Sequence, residues 1–268
     1  LCLLREAGAE VTQLVLTDGA LGGNNADGGL AAIREEESRA AAGILGLSAP
    51  VFWREPDRGL NYGEPLIERL LAAIEEAGSE LVFLPAPTEW HPDHQAVAFA
   101  GAEALRRLGG TRQAAFYELN SPLANPNLLL DISQVAGKKQ QAMRCFRTQL
   151  AEQPYDTQIA GLNSYRAFFL GRPAVSAEAF LLVPAAELRE ALPALFAGAT
   201  LHRRNQGFAV CGADIPLVSI VVRSMDRPTL RETLDSLAWQ TYPNLEVVVV
   251  SAKGGEHSNL GDWCGRFP

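Results

Sequence analysis

Residues 81–100, LVFLPAPTEWHPDHQAVAFA, decide the fold class of this chain. The opening LVFLP is continuously apolar, which is typical of a strand buried on both faces of a sheet. A proline-rich turn follows. HQAVAFAGAEALRRLGG then has the apolar spacing of a helix that stops at glycines. The stretch therefore predicts a buried strand that leads through a short corner into a helix.

The same alternation of strand and helix continues on both sides of this stretch. EVTQLVLTDG, APVFWRE and RQAAFYEL have the composition of strands, and LAAIREEESRAAAGILGL and EPLIERLLAAIEEAG have the periodicity of helices. Strands that alternate with helices indicate an α/β fold with a parallel sheet between helices. We expect the strands at 11–16, 51–53 and 81–84 to be parallel neighbours in one sheet.

Composition excludes several classes of protein. The chain has 268 residues, of which 47% are hydrophobic and 20% charged, the balance of a soluble globular protein. Its net charge of −8 argues against a nucleic-acid partner or an anionic membrane surface. The four cysteines form no CxxC pair and are expected to be reduced thiols of a cytoplasmic protein. No apolar run reaches the length of a membrane span.

The HPDH motif, residues 91–94, places two of the four histidines three positions apart. Pro92 suits the first turn of a helix, and Asp93 is favourable near the positive end of the helix dipole. One histidine could bind a metal while the other contacts a substrate oxyanion or protonates a leaving amine, with Asp93 fixing a tautomer. The alternative is that both histidines merely cap the helix.

Other polar residues also follow predicted strands. Asp18, Asp57 and the HPDH motif all come directly after a strand. Ligand sites in open α/β sheets lie at the carboxyl ends of the strands, so these residues are expected to meet at one edge. Asp18, in the sequence TDG, fits a strand-end turn better than a chemical role.

The motifs VLTDGALGG, IREEESRAAAGILGL, PDRGL, LVFLPAPTEWHPDHQA and AEAF occur in this order over about residues 1–190. In this combination the chain resembles the LmbE-like, or PIG-L, deacetylases. The resemblance implies a Rossmann-like, three-layer fold with a parallel sheet. It also implies a hydrolase that uses zinc to remove the acetyl group from an N-acetylated amino sugar.

The resemblance also implies roles for individual residues. The last histidine of the motif, His94, matches a zinc ligand. His91 matches the residue that stabilises the tetrahedral intermediate. From its place in the motif, we expect Asp93 to be catalytic as well. Arg34 and Asp57 match positions that meet the substrate.

Two of these positions have alternatives that the sequence leaves open. Arg34 could instead form a surface pair with Glu37, one helical turn away. Asp57 could instead be a turn residue before a glycine-containing loop.

One part of the family pattern is not found. The resemblance implies an HPDDE-like motif that supplies two further zinc ligands and the general base, and this sequence contains none. Leu1 is expected to fall in the helix after that motif. We therefore expect a chain truncated at its N-terminus, which binds zinc poorly and is inactive by itself although its parent protein is an enzyme.

The C-terminal part resembles a different family. PLVSIVVRSMDRPTLRETLDSLAWQTYPNLEVVVV, over about residues 215–256, is similar to the opening of a family 2 glycosyltransferase with the GT-A fold. The second strand of this stretch ends in Ser251-Ala252 where that family usually has acidic residues. The expected division is a deacetylase domain at 1–196, a connector at 197–215 and a glycosyltransferase fragment at 216–268. The expected ligands are an N-acetylated sugar and, for the tail, a nucleotide sugar.

A second hypothesis does not require catalysis. The first domain could be a non-catalytic glycan-binding or scaffold domain attached to a glycosyltransferase. Sequence upstream of Leu1 would discriminate the two, because an HPDDE-like motif there would support the enzyme.

Overall fold

The computed structural model describes residues 1–21, 29–189, 218–225, 227–238 and 245–254. The chain divides into two compact units, residues 1–188 and 189–268. The predicted connector at 197–215 lies outside the described residues, so the predicted domain boundaries stay a prediction.

The first unit alternates helices and strands. Its helices are α1 (Cys2–Glu6), α2 (Leu30–Leu45), α3 (Glu64–Glu76), α4 (Pro92–Leu108), α5 (Ala136–Met143), α6 (Arg147–Leu150) and α7 (Tyr155–Ala167). Its strands are β1 (Leu14–Thr17), β2 (Val51–Glu55), β3 (Leu81–Pro85), β4 (Gln113–Tyr117), β5 (Leu128–Asp131) and β6 (Ala177–Pro184). In the described ranges, none of the helices combines the length and the apolar character needed to cross a membrane.

Parallel pairing through helical connections is observed twice. Strand β1 pairs with β2, and β3 pairs with β4, both in parallel. The predicted α/β class is therefore confirmed. The predicted adjacency is wrong for the third strand, because β3 lies in a four-stranded sheet of order β3-β4-β6-β5 while β1 and β2 form a sheet of their own among the described residues. A helical crossover sets the direction of the next strand but not which strand becomes its neighbour.

The larger sheet is mixed rather than fully parallel. Strand β6 is antiparallel to both β4 and β5. The connection from β5 to β6 contains α5, α6 and α7. Because the two strands are antiparallel neighbours, the chain leaves β5 and enters β6 at the same end of the sheet. A pattern of apolar residues gives no information on strand direction, so the sequence alone did not predict this reversal.

Helix α4 positions the HPDH motif over the end of β3. Pro92 occupies the first turn, and His91 is the N-cap residue. Gly101, further along the helix, lies against Leu84 of β3, so closely that a Cβ atom at this position would be 2.5 Å from Leu84 Cδ2. The helix therefore lies close to the strand, and its N-terminus, with both histidines, stands at the carboxyl end of β3. Helix α3 packs against α4.

The described part of the second unit is a βαβ arrangement. Strands β7 (Val218–Ser224) and β8 (Leu245–Ser251) are paired in parallel along their whole length, and helix α8 (Thr229–Ala238) connects them in the chain. This is the local arrangement that the sequence predicts. Many α/β folds share such a unit, so the glycosyltransferase interpretation stays a prediction.

Candidate functional site

The HPDH corner places its two imidazoles side by side. His91 has an extended backbone, with φ −74° and ψ 128°, and its Nδ1 atom accepts the backbone N–H of Asp93 at 3.3 Å. The ring centroids of His91 and His94 are 4.7 Å apart. His91 does cap the helix, as the alternative interpretation expects, but the cap uses only Nδ1. The Nε2 atom of the ring is left for other contacts.

Asp93 fastens the loop after β2 to this corner. The residue is only 3% exposed. Its Oδ2 atom accepts the N–H of Arg58 at 2.7 Å, and its Oδ1 atom accepts the N–H of Leu60 at 3.1 Å. Arg58 has φ 60°, the left-handed region that residues other than glycine seldom adopt. The two hydrogen bonds from the loop stabilise this conformation and fix Asp57 beside the histidines.

Asp57 connects three loops. Its Oδ1 atom lies 4.0 Å from His91 Nε2, and its Oδ2 atom accepts the N–H of Leu21 at 3.2 Å. Its own N–H donates to Oδ1 of Asp18 at 3.1 Å. Asp18 also accepts the N–H of Ala20, as expected for a strand-end turn. The carboxyl ends of β1 and β2 and the start of α4 therefore meet at Asp57.

Three of these side chains could hold a cation. Single ligand atoms of Asp57, His91 and Asp93 all lie within 4.8 Å of one another. Nitrogen and carboxylate oxygen are the donors that zinc takes in catalytic sites, so the donor chemistry fits. Asp93 is the least suitable metal ligand of the three, because both of its oxygens already accept backbone N–H groups. His94, which the resemblance implies as the ligand, lies directly beside this set.

Burial determines the charge state of His91. Removal from solvent, together with the neighbouring His94, lowers the pKa of His91 below the ordinary imidazole value, against the opposing effect of Asp93 and Asp57. The ring is therefore neutral near pH 7. Because its Nδ1 atom accepts a hydrogen bond, its proton is on Nε2, which faces Asp57. His91 is thus a neutral hydrogen-bond donor at the site.

A buried acid that the sequence analysis missed lies behind His94. Glu89 is 0% exposed, and its Oε1 atom accepts the N–H groups of Asn120 and Ser121, each at 2.9 Å. Its Oε2 atom lies 3.3 Å from Nδ1 of His94. Burial, with the charge of Glu89 adding to it, raises the pKa of Tyr117 to about 12. An acid in the turn directly after an apolar strand, five residues before His94, was the signal available in the sequence.

Arg34 contacts the turn after β1. Its Nη1 atom donates to the carbonyl oxygen of Gly19 at 2.6 Å, and Nη2 is 3.9 Å from a carboxylate oxygen of Glu152. Glu37 instead accepts from the backbone and hydroxyl of Thr148. The alternative surface pair of Arg34 with Glu37 is therefore not formed. Arg34 stabilises the turn after β1, and its predicted contact with substrate stays a prediction.

Trp90 provides an aromatic surface next to the histidine corner. The residue is 43% exposed, although it directly follows the fully buried Glu89. Its ring lies 5.9 Å from the ring of His91, at 62° to it. A partly exposed aromatic ring beside polar groups is typical of ligand pockets.

Residues 1–105 match the family model of PIG-L, described as GlcNAc-PI de-N-acetylase. Over these residues the chain is similar to the PIG-L/LmbE-like deacetylases. The HPDH corner, Asp57 and Arg34 all fall inside the matched residues. The PIG-L-like part therefore contains every site residue that the sequence predicted.

Curated relatives show the same relationship. The diacetylchitobiose deacetylase of Thermococcus kodakarensis is 28% identical over 175 residues, 57% of this chain and 64% of the relative. A probable N-acetyl-alpha-D-glucosaminyl L-malate deacetylase 2 of Bacillus anthracis is 29% identical over 132 residues, 46% of this chain and 58% of the relative. The chain thus spans less than two thirds of the length of either relative.

Solved structures show the shared fold. The N,N'-diacetylchitobiose deacetylase of Pyrococcus horikoshii superimposes with a TM-score of 0.61 at 23% identity, covering 69% of this chain and 77% of that one. GalB, the 4-carboxy-2-hydroxymuconate hydratase of Pseudomonas putida, gives 0.59 at 24% identity, covering 68% and 87%. A deacetylase and a hydratase therefore share this fold, and the fold alone does not select the reaction.

Proposed function

We propose that this PIG-L-like chain contributes the histidine corner of a zinc-dependent hydrolase that removes the acetyl group from an N-acetylated amino sugar. The observation that carries the proposal is the meeting of Asp57, His91, Asp93 and His94 where β2 and β3 end. Two similar curated proteins are named as deacetylases, one of diacetylchitobiose and one of an N-acetyl-alpha-D-glucosaminyl L-malate. The reaction needs a metal ligand and a donor for the oxyanion, and this corner offers both kinds of group.

Each side chain of the corner has a different proposed role in the reaction. His94 would hold the metal, with Asp57 as a neighbouring donor. Zinc, when bound, supplies a Lewis acid and an activated water. His91 donates its Nε2–H to the oxygen on which negative charge develops, and such a donor acts best when it is fixed before the reaction. Asp93 holds the loop of residues 58–60 so that Asp57 stays beside His91.

The substrate class follows from the groups around the histidines. Asp57 can accept a hydrogen bond from a sugar hydroxyl, and Trp90 presents an apolar ring face. Pyranose rings carry both hydroxyl groups and apolar C–H faces. An N-acetylated amino sugar therefore fits the polar and aromatic groups of this corner better than a flexible aliphatic amide does.

The C-terminal residues extend the proposal. We infer that residues 216–268 belong to a GT-A glycosyltransferase domain, which the parallel pairing of β7 and β8 on either side of α8 supports. Deacetylation and sugar transfer would then occur in one polypeptide.

Amine release from N,N'-diacetylchitobiose and N-acetylglucosamine, with added zinc and with a chelator, tests the reaction. The proposal expects zinc-dependent amine release from a form of the protein that holds zinc. Sugar binding in calorimetry without amine release would favour the non-catalytic glycan-binding hypothesis.

A further inference from the structure

We propose that Glu89 is a positioning residue that fixes His94 as its Nδ1–H tautomer and thereby directs the Nε2 lone pair of His94 into the site. The tautomer half of this inference stands on hydrogen bonds alone. The metal half rests on the proposed function, in which His94 is a zinc ligand.

The two oxygens of Glu89 have separate partners. The Oε1 atom accepts the N–H groups of Asn120 and Ser121 at 2.9 Å each, which holds the loop after β4. The Oε2 atom faces Nδ1 of His94 at 3.3 Å. A carboxylate only accepts hydrogen bonds, so the nitrogen opposite Oε2 must carry the hydrogen. A neutral imidazole with its proton on Nδ1 has its lone pair on Nε2.

The burial of Glu89 strongly favours the Nδ1–H tautomer of His94. Glu89 is 0% exposed, so solvent cannot replace His94 as the partner of Oε2. If His94 changed tautomer, two lone pairs would face each other inside the protein. Metal-binding histidines are commonly fixed in this way by a carboxylate on the nitrogen that does not touch the metal. The neighbouring His91 is fixed oppositely, because its Nδ1 atom accepts a backbone N–H.

Glu89→Gln keeps the shape of the side chain but places a hydrogen-bond donor, the amide nitrogen, where the acceptor Oε2 faces His94. The amide oxygen of Gln should keep the position of Oε1, because two backbone N–H groups face it. The amide nitrogen then faces Nδ1 of His94 and donates to it. His94 is thus expected to change to the Nε2–H tautomer, which has no lone pair directed into the site.

The experiment measures tautomers in the metal-free protein by ¹H–¹⁵N correlation NMR of the histidine rings at about pH 8, above the ordinary imidazole pKa. We expect Nδ1–H for His94 in the wild type and Nε2–H in Glu89→Gln. Glu37→Gln is the matched control, because Glu37 is also a buried carboxylate that accepts a backbone N–H, in its case from Thr148. An Nε2–H tautomer in the wild type, an unchanged tautomer in Glu89→Gln, or the same change in Glu37→Gln would each overturn the inference. Cooperative thermal unfolding confirms that each variant is folded.

Metal binding is measured separately by Co²⁺ titration, followed by absorption. Glu89→Gln should weaken Co²⁺ binding by roughly 10- to 100-fold, the usual effect of removing a partner of a metal-binding histidine. Glu37→Gln should leave the affinity unchanged. A changed tautomer with unchanged Co²⁺ affinity would overturn the metal half of the inference. Failure of a zinc-holding form of the protein to hydrolyse any N-acetyl sugar would refute the proposed function and leave the tautomer result standing.

Discussion

The carboxylate of Asp93 accepts the backbone N–H of Arg58 at 2.7 Å, across 35 residues of sequence. This bond joins the start of α4 to a turn that holds Arg58 at φ 60°. The site is therefore built from two loops that follow different strands, and one buried carboxylate sets their spacing. Asp93 acts on the site by holding the backbone of Arg58 and Leu60. Its predicted direct catalytic role stays a prediction.

Asp93→Asn should destabilise the protein. An amide has one acceptor oxygen where the carboxylate has two, so one of the N–H groups of Arg58 and Leu60 loses its partner in a buried place. The expected loss in free energy of unfolding is about 1–3 kcal/mol by urea denaturation. Asp131→Asn is the control, because Asp131 also accepts a backbone N–H, that of Ser133, but is exposed. Equal losses in free energy of unfolding in the two variants would contradict the role of Asp93 in holding the backbone of residues 58–60.

Stability should depend on pH through His91. Burial lowers its pKa in the folded protein, so the unfolded chain takes up the proton first as the pH falls. The stabilising contribution of neutral His91 is therefore complete above the unfolded pKa of about 6.5 and decreases as the pH falls below that value. Urea unfolding of metal-free wild type and His91→Gln, from about pH 7.5 to about pH 5, measures the difference between them. A difference that grows in favour of the wild type at acid pH would show that the sign is wrong.

Because α4 packs closely on β3, we expect Gly101→Ala to destabilise the protein. The added Cβ would lie 2.5 Å from Cδ2 of Leu84, which is itself buried. We expect a loss of about 1–3 kcal/mol in free energy of unfolding from this overpacking. Gly161→Ala is the matched control in the middle of α7, where the added Cβ meets nothing within 4 Å. It should stabilise by roughly 0.5–1 kcal/mol through the usual advantage of Ala over Gly in helices. A stable Gly101→Ala would mean that Leu84 can move aside.

The sequence predicted the parts of the site that depend on local chemistry. Pro92 begins α4, and Asp57 meets the histidines, because residues that follow parallel strands share one edge of the sheet. The order of the strands could not be predicted, since crossovers do not specify a neighbour. Glu89 was missed for a different reason. Its partners Asn120 and Ser121 lie more than thirty residues away, and a lone acid in a turn usually indicates only a polar loop.

Trp90 should affect the binding of substrate more than its conversion. Trp90→Ala removes a half-exposed ring beside His91. In the proposed complex with an N-acetylated sugar, the apolar contact of this ring with the sugar face would contribute about 1 kcal/mol. We expect KM to rise roughly three- to tenfold with little change in kcat. Trp90→Phe should retain most of the affinity. Phe168→Ala, at an exposed aromatic residue directly after α7, is the control and should leave KM unchanged. A large fall in kcat with constant KM would place Trp90 in a different role.

The two histidines of the corner should separate into a metal ligand and an oxyanion donor. In a form of the protein that hydrolyses N-acetyl sugars, His94→Ala should lose zinc and activity together. His91→Ala should keep the zinc and lose about 10²- to 10³-fold in kcat, because a donor to the oxyanion acts mainly in the transition state. Metal analysis and amine release on the same samples measure both effects. The ring centroids lie only 4.7 Å apart, so each variant must also be shown to unfold cooperatively. Loss of zinc in His91→Ala with retention in His94→Ala would reverse the assignment. In that case the cluster of Asp57, His91 and Asp93 would be the metal site instead.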